Sequence, residues 1–221
     1  MKNVMKKLKF KLKNVSFLLM LLNICLVNAQ VYPLKKIVVI DPGHGGIDPG
    51  ALGLHRQEKD ITLDIALELK KWNNMFFKNE LDLYLTRDSD TLISLADRRK
   101  LASALKADAF ISIHCNSAHK GARGIEIFTT KKTGQQTTVS QNLAQSILDE
   151  FRLQLGFLSR GIKKARYSVL SQSFNQYPAI LIETGFISSE DESMYLADKK
   201  HIQAVALAIL MGIKNHLNLK L

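Results

Sequence analysis

Ile37-Val38-Val39-Ile40 runs straight into Asp41-Pro42-Gly43-His44-Gly45-Gly46. A short, wholly apolar run bounded by turn residues reads as a buried strand, and here the Gly-rich turn that ends it carries a histidine. Two further apolar runs end the same way. Ala109-Phe110-Ile111-Ser112-Ile113 delivers His114, and Ala179-Ile180-Leu181-Ile182 delivers Glu183. Three strands that end in ionisable side chains point to one shared site at one edge of a sheet.

Outward from these strands the pattern alternates. Strand 36–41 leads into a Gly-rich loop, 42–57. A helix follows from Glu58 to Phe77, with Ile61, Ile65, Leu69 and Trp72 on one face. Residues 81–86 read as a strand. Ser94 caps a helix that runs to Lys106, with Asp97 as its capping-box partner. Strands 109–114 and 124–129 flank a turn at Lys120-Gly121, and 138–155 is an amphipathic helix. Residues 156–165 read as a basic loop, 167–170 as a short strand, 179–183 as a longer one, and 199–217 as a helix with Ile202, Val205, Ile209 and Leu210 facing inward. Strands separated by helices imply an α/β fold with a mainly parallel sheet covered on both faces. In such sheets ligands bind beyond the carboxyl ends of the strands, so His44, His114 and Glu183 are expected to share one edge.

The chain has 221 residues, enough for one domain and a short appendage. Its net charge of +11 is uneven: six lysines and no acid fall within residues 1–13, so the remainder carries +5. That lysine-rich start precedes an apolar run, 15–27, and then Val27-Asn28-Ala29. Basic, apolar, then small is the order of a secretory signal peptide, with cleavage expected after Ala29. The apolar run is shorter than the ~20 residues a spanning helix needs. Domain bounds are therefore set at 1–29 for the signal and 36–217 for the folded domain. Export to the periplasm or the cell exterior follows, with no stable membrane insertion after cleavage. No nucleic-acid partner is expected, and a monomer is the default. Cleavage would leave Cys115 as the lone cysteine, without an internal disulfide; directly after His114 it reads as a metal neighbour, a nucleophile or, most simply, a small packing residue.

The glycines of the first loop do not cradle a phosphate. Asp48 stands where a dinucleotide frame starting at Gly43 needs glycine, and Ala51 follows Gly50 where a P-loop needs lysine. They read instead as turn formers that let backbone approach a bound group. His44 and His114 are candidate metal ligands, since neutral imidazoles are the commonest. Glu58 is the candidate third ligand; the alternative is an acid placed in a first helical turn by the helix dipole. Glu183 beside a buried strand is costly unless paired or used, so a free catalytic carboxylate and a salt bridge to an arginine both stand. Glu126 is a further carboxylate, which strand alternation can point either way. His55, His119, His201 and His216 read as loop or helix-surface residues. Together His44, Glu58 and His114 read as a three-ligand zinc site with an open position, and Glu183 as the acid that moves the proton.

The segments Val38–Gly46, Ile111-Ser112-Ile113-His114-Cys115-Asn116 and Ile180-Leu181-Ile182-Glu183-Thr184-Gly185-Phe186-Ile187 resemble the zinc-dependent N-acetylmuramoyl-L-alanine amidases called Amidase_3. The likeness extends to Glu58-Lys59-Asp60-Ile61, Leu95-Ala96-Asp97-Arg98 and Arg160-Gly161-Ile162-Lys163, and covers 36 to 217. It implies a six-stranded α/β fold with one zinc per chain. By matching position it makes His44, Glu58 and His114 the metal ligands and Glu183 the catalytic glutamate. The implied reaction hydrolyses the amide between N-acetylmuramic acid and L-alanine in peptidoglycan. A non-catalytic peptidoglycan-binding module and a zinc peptidase cutting within the stem peptide are the rivals. The loop around Arg160 and Lys163 reads either as a contact for stem carboxylates or as a solvated loop. Ser189 stands where the family often has asparagine, a change expected to alter a turn. Some members carry a long helical insertion after the strand matching 124–129. Here only 130–137 joins that strand to the next helix, which implies an uncovered site that needs no activator.

Overall fold

The computed structural model describes residues 1–27, 35–77, 80–118 and 121–220. The expected cleavage point at Ala29, His119, and Lys120 of the expected turn lie outside them. The chain divides into two units, 1–34 and 35–221. The first holds helix α1 (Lys2–Val27). Among the described residues no helix is long and apolar enough to cross a membrane.

The second unit is built on one six-stranded sheet: β1 (Lys36–Pro42), β2 (Leu81–Leu85), β3 (Ala109–Asn116), β4 (Ile125–Thr130), β5 (Ser159–Ala165) and β6 (Ala179–Phe186). The spatial order is β2-β1-β3-β6-β4-β5. All neighbours are parallel except β4 and β6. The sheet is thus mixed and mostly parallel, as the alternation of elements implies. One member differs from expectation. Residues 159–165 form the edge strand, and 168–170 form a 3-10 turn rather than a strand. Strand β5 offers only Ile162 to the core, and its remaining charged positions suit a sheet edge, where lysines and arginines discourage further pairing.

The apolar residues alternate between two faces. Ile40, Ile111, Ile113, Ile180 and Ile182 pack under α2 (Glu58–Phe76), α4 (Thr137–Gln154) and α6 (Lys199–Leu217). Val39, Phe110 and Leu181 face the smaller α3 (Leu95–Ala104) and the turns carrying Val169 and Tyr177. The short α5 (Glu190–Ala197) was not legible as a helix, although Ser189 followed by three acids in the first turn is a start signal. Ser94 caps α3 as expected, its oxygen accepting from the Asp97 N–H and its hydroxyl donating to the Asp97 carboxylate.

The thin face has a consequence for polar groups. Asp41 and Arg98 are both buried and pair at 2.7 Å. Asp41 also accepts from Thr86 and Ser112, while Arg98 donates to the carbonyls of Pro42, His44 and Ile93. Arg87 donates to the carbonyls of Pro42, Gly43 and Lys59. Two arginines thereby satisfy the main chain of the turn that leaves β1. Replacing Arg98 by methionine strands the Asp41 charge, and urea unfolding is expected to show a loss of about 3–5 kcal/mol; a loss under 1 kcal/mol would remove this anchor from the account.

Candidate active site

The parallel registers do what the sequence pattern required. Val38 pairs with Ala109 and Phe110 with Ala179, so β1, β3 and β6 end together. His114 stands directly beside Glu183 on the neighbouring strand. On β4, which runs the other way, Glu126 stands opposite Glu183. His44 sits in the turn after β1 with φ 61°, followed by Gly45 and Gly46, also at positive φ. Such a run costs a non-Gly residue strain, and the carbonyl contacts from Arg87 and Arg98 hold it.

Glu58 reaches this edge from α2. Its N–H donates to the Ala51 carbonyl and that of Lys59 to Pro49, so the Gly-rich loop folds back to cap the helix. The carboxylate is 4% exposed. Oε1 lies 3.1 Å from His44 Nε2 and 2.8 Å from His114 Nδ1. It also accepts the Cys115 N–H, while Oε2 accepts the Ala51 N–H. A residue placed only by the helix dipole would face solvent; this one faces two imidazoles. One donor atom from each of His44, Glu58 and His114 falls within 4.8 Å of the others. Two glycines make room for this convergence. A Cβ on Gly43 would lie 2.4 Å from the His114 ring, and one on Gly50 would lie 2.5 Å from the Glu58 carboxylate.

Asp48 is a functional neighbour that sequence reading missed. Its carboxylate accepts from His44 Nδ1 at 2.8 Å, which fixes the ring so that Nε2 faces Glu58. Such outer carboxylates commonly orient metal-binding histidines. Its signal in the sequence was its spacing of four from His44 within one turn.

Protonation follows from this packing. Burial disfavours charge on His44, but the hydrogen bonds and charges of Glu58 and then Asp48 outweigh it and raise the imidazole to about 9. Burial likewise disfavours charge on Glu58, and the His114 and His44 contacts overcome it, holding the carboxyl well below the usual range. Glu183 has no such rescue. It is 9% exposed, and Oε2 has no hydrogen-bond partner among the described residues. Burial lifts its pKa to about 7 against the pull of His114, with the Glu58 and Glu126 charges adding to the rise. The arginine bridge considered for Glu183 is absent among the described residues.

Glu126 takes the cations instead. Arg160 Nε and Lys163 Nζ both donate to its Oε1, the latter at 2.8 Å, and Asn116 donates to Oε2. Burial works against this carboxylate, but Lys163 and Arg160 lower its pKa. Cys115 is buried, and burial pushes its thiol well up, which fits packing rather than nucleophilic attack. His55 and His201 lie exposed outside the site. A cavity of about 420 Å³ opens over the cluster, lined by His44, Glu58, His114, Asn116, Tyr167 and Glu183.

The family model for N-acetylmuramoyl-L-alanine amidase, Amidase_3, matches residues 38–215. The chain belongs to this family. It is 39% identical to the sporulation-specific N-acetylmuramoyl-L-alanine amidase of Bacillus subtilis over 186 residues, covering 83% of this chain and 69% of that protein. The endolysin of Bacillus phage SPP1 is 37% identical over 85% of this chain and 68% of its own length. Among solved structures, the catalytic domain of the amidase CwlV from Bacillus (Paenibacillus) polymyxa superposes with a TM-score of 0.76 at 33% identity, covering 84% of this chain and all of that one. An amidase from Clostridium difficile 630 gives 0.77 at 34% identity over 84% of this chain and 98% of that one.

Two buried acids and two imidazoles in one pocket offer the same donor atoms to protons and to a divalent cation, so the two would compete there. Divalent-ion affinity measured by titration calorimetry is expected to rise with pH up to about 9, as His44 sheds its proton. Gly43→Ala is expected to weaken it at least tenfold by displacing the His114 ring; unchanged affinity would contradict the cradle.

Proposed function

We propose that this chain is a zinc-dependent amidase that cleaves the bond between N-acetylmuramic acid and L-alanine in peptidoglycan, with His44, Glu58 and His114 as metal ligands and Glu183 as general base. One observation carries the reading: three candidate ligand atoms converge beside a buried carboxylate oxygen that has no partner among the described residues. The donor set suits zinc, which takes histidine nitrogen and carboxylate oxygen and in catalytic sites keeps a position free. Zinc bound there would supply a Lewis acid that activates water and polarises the amide carbonyl.

The protein's own residues do the rest. Asp48 holds His44, and the Ala51 and Cys115 amides hold Glu58, so the ligands are oriented in advance. Glu183, kept out of ion pairs, takes the proton of the attacking water and returns it to the departing nitrogen. A pKa near 7 suits both transfers. Arg160 and Lys163 draw Glu126 away from Glu183, so the base keeps its freedom although a second carboxylate faces it across the sheet. Strand β4 passes to α4 through a short link, Thr130 to Thr137, consistent with a site that needs no activator.

The same proposal takes residues 1–29 as a secretory signal and 36–217 as the catalytic domain. The protein then works as an exported monomer, in the periplasm or outside the cell. The lysine-rich start and apolar run support export, and relatives named as cell wall amidases fit that location.

Purified protein incubated with peptidoglycan and zinc is expected to release stem peptides with a free L-alanine amino end, and a chelator is expected to stop it. Peptides cut at an internal bond would indicate a peptidase, and no release would indicate a binding module. Glu183→Ala is expected to keep stoichiometric zinc and lose turnover by about 10²–10⁴-fold; loss of the metal would move Glu183 into the ligand set. In the wild type, kcat/KM is expected to fall as pH drops below the Glu183 pKa, because the protonated acid cannot accept a proton. A bound cation stabilises the carboxylate and shifts that limb below 7.

A further inference from the structure

We propose that the two halves of the substrate lie on opposite flanks of the ligand cluster, with the muramoyl sugar in the groove walled by Leu92, Leu95 and Val169 and the stem peptide over Arg160 and Lys163. This rests on the amidase reading and gives it a direction. Strand order sets the two flanks. From β1 through β3, β6 and β4 to β5 the sheet edge presents His44, His114, Glu183, Glu126 and then Arg160 with Lys163. The residues between β2 and α3, which include Leu92 and Ser94, lie at the other end of that row.

On the β1 flank a cavity of about 590 Å³ adjoins His44 and His114. Its walls are apolar at Leu92, Leu95 and Val169 and acidic at Asp48 and Asp97. Leu92 and Leu95 are about half exposed. The one arginine in the lining, Arg98, is buried and spent on Asp41 and three backbone carbonyls. The groove therefore offers apolar surface and hydrogen-bond acceptors but no free cation. An N-acetylated sugar has the matching chemistry: it is neutral, it presents C–H faces, and its hydroxyls donate to carboxylates. Asp97 already pairs with Lys100 and Asp48 with His44, so a peptide bearing carboxylates finds no spare positive charge on this wall.

The β5 flank is the reverse. Arg160 and Lys163 share a single carboxylate, Glu126, so one positive charge is left over. Both side chains stay partly exposed, at 36% and 42%. The Arg160 guanidinium sits 5.1 Å from the centre of the Phe186 ring, which places it over the end of β6. A planar, preoriented guanidinium beside a lysine is suited to carboxylates. Stem peptides carry carboxylates; the sugar side of the bond does not.

The test uses two soluble substrates with the same stem, one a disaccharide muramoyl-peptide and one a lactyl-peptide lacking the sugar. In the Leu92→Ala, Leu95→Ala double variant, the ratio of kcat/KM for the first over the second is expected to fall about tenfold, the scale of losing two half-covered leucine contacts. An unchanged ratio would overturn the sugar assignment. On the wild type, amidating the stem carboxylates is expected to lower kcat/KM about tenfold, and Arg160→Gln with Lys163→Gln is expected to abolish that difference. Equal rates for free and amidated stems would overturn the peptide assignment. Because amidation alters only the substrate, this arm holds even if the double glutamine variant is unstable. Failure of wild-type protein with zinc to release any stem peptide from peptidoglycan would instead overturn the amidase reading and the direction with it.

Discussion

A carboxylate removed from water must meet positive charge or lose its own. Glu58 is buried at the carboxyl edge of the sheet, and what it meets is His44 and His114. That single constraint organises the rest. It requires β1 and β3 to end level, α2 to begin at the same edge, and the loop between them to fold back so that its carbonyls cap the helix. It also requires glycine at 43 and 50, where any side chain would enter the cluster. Glu183 lies one strand away and feels the imidazole charges without a hydrogen bond to either ring, so burial wins and its pKa moves up where that of Glu58 moves down. The same burial thus yields one acid suited to hold a cation and another suited to move a proton.

The asymmetry of the two sheet faces makes room for the site. Three long helices cover one face, and the smaller α3 with its neighbouring turns covers the other. His114, Glu183 and Glu126 alternate with core residues and so point to the thin side. The buried Asp41–Arg98 pair closes that side behind the turn that carries His44. Removing polar groups from water there is offset by a network in which both partners carry several further hydrogen bonds. Main-chain carbonyls of an irregular turn would otherwise be left without donors.

Much of this was legible in the chain. Short, mostly apolar runs that lead to His44, His114 and Glu183 give the sheet edge directly, because a buried parallel strand tolerates little but apolar residues. The third candidate ligand was harder. Glu58 opens a helix, and an acid in that position is unremarkable until the path of loop 42–57 is known. Asp48 and the cations on Glu126 were hidden for the same reason: their partners are fixed by three-dimensional placement and leave no period in the sequence. Strand β5 was hidden by its position. An edge strand with lysines and arginines has the composition of a loop, whereas Tyr167-Ser168-Val169-Leu170 has the composition of a strand but buries Val169 and Leu170 through a 3-10 turn. Family resemblance recovered the count of six strands without identifying which segment supplied the last one.

The account stands or falls on where a metal sits. Anomalous X-ray diffraction at the zinc edge, from crystals of the protein grown with zinc, locates it without reference to activity. The account predicts one peak within about 2.0–2.2 Å of His44 Nε2, a Glu58 oxygen and His114 Nδ1, with both Glu183 oxygens outside the coordination sphere. A peak bound by Glu183, or one that leaves Glu58 uncoordinated, would contradict it.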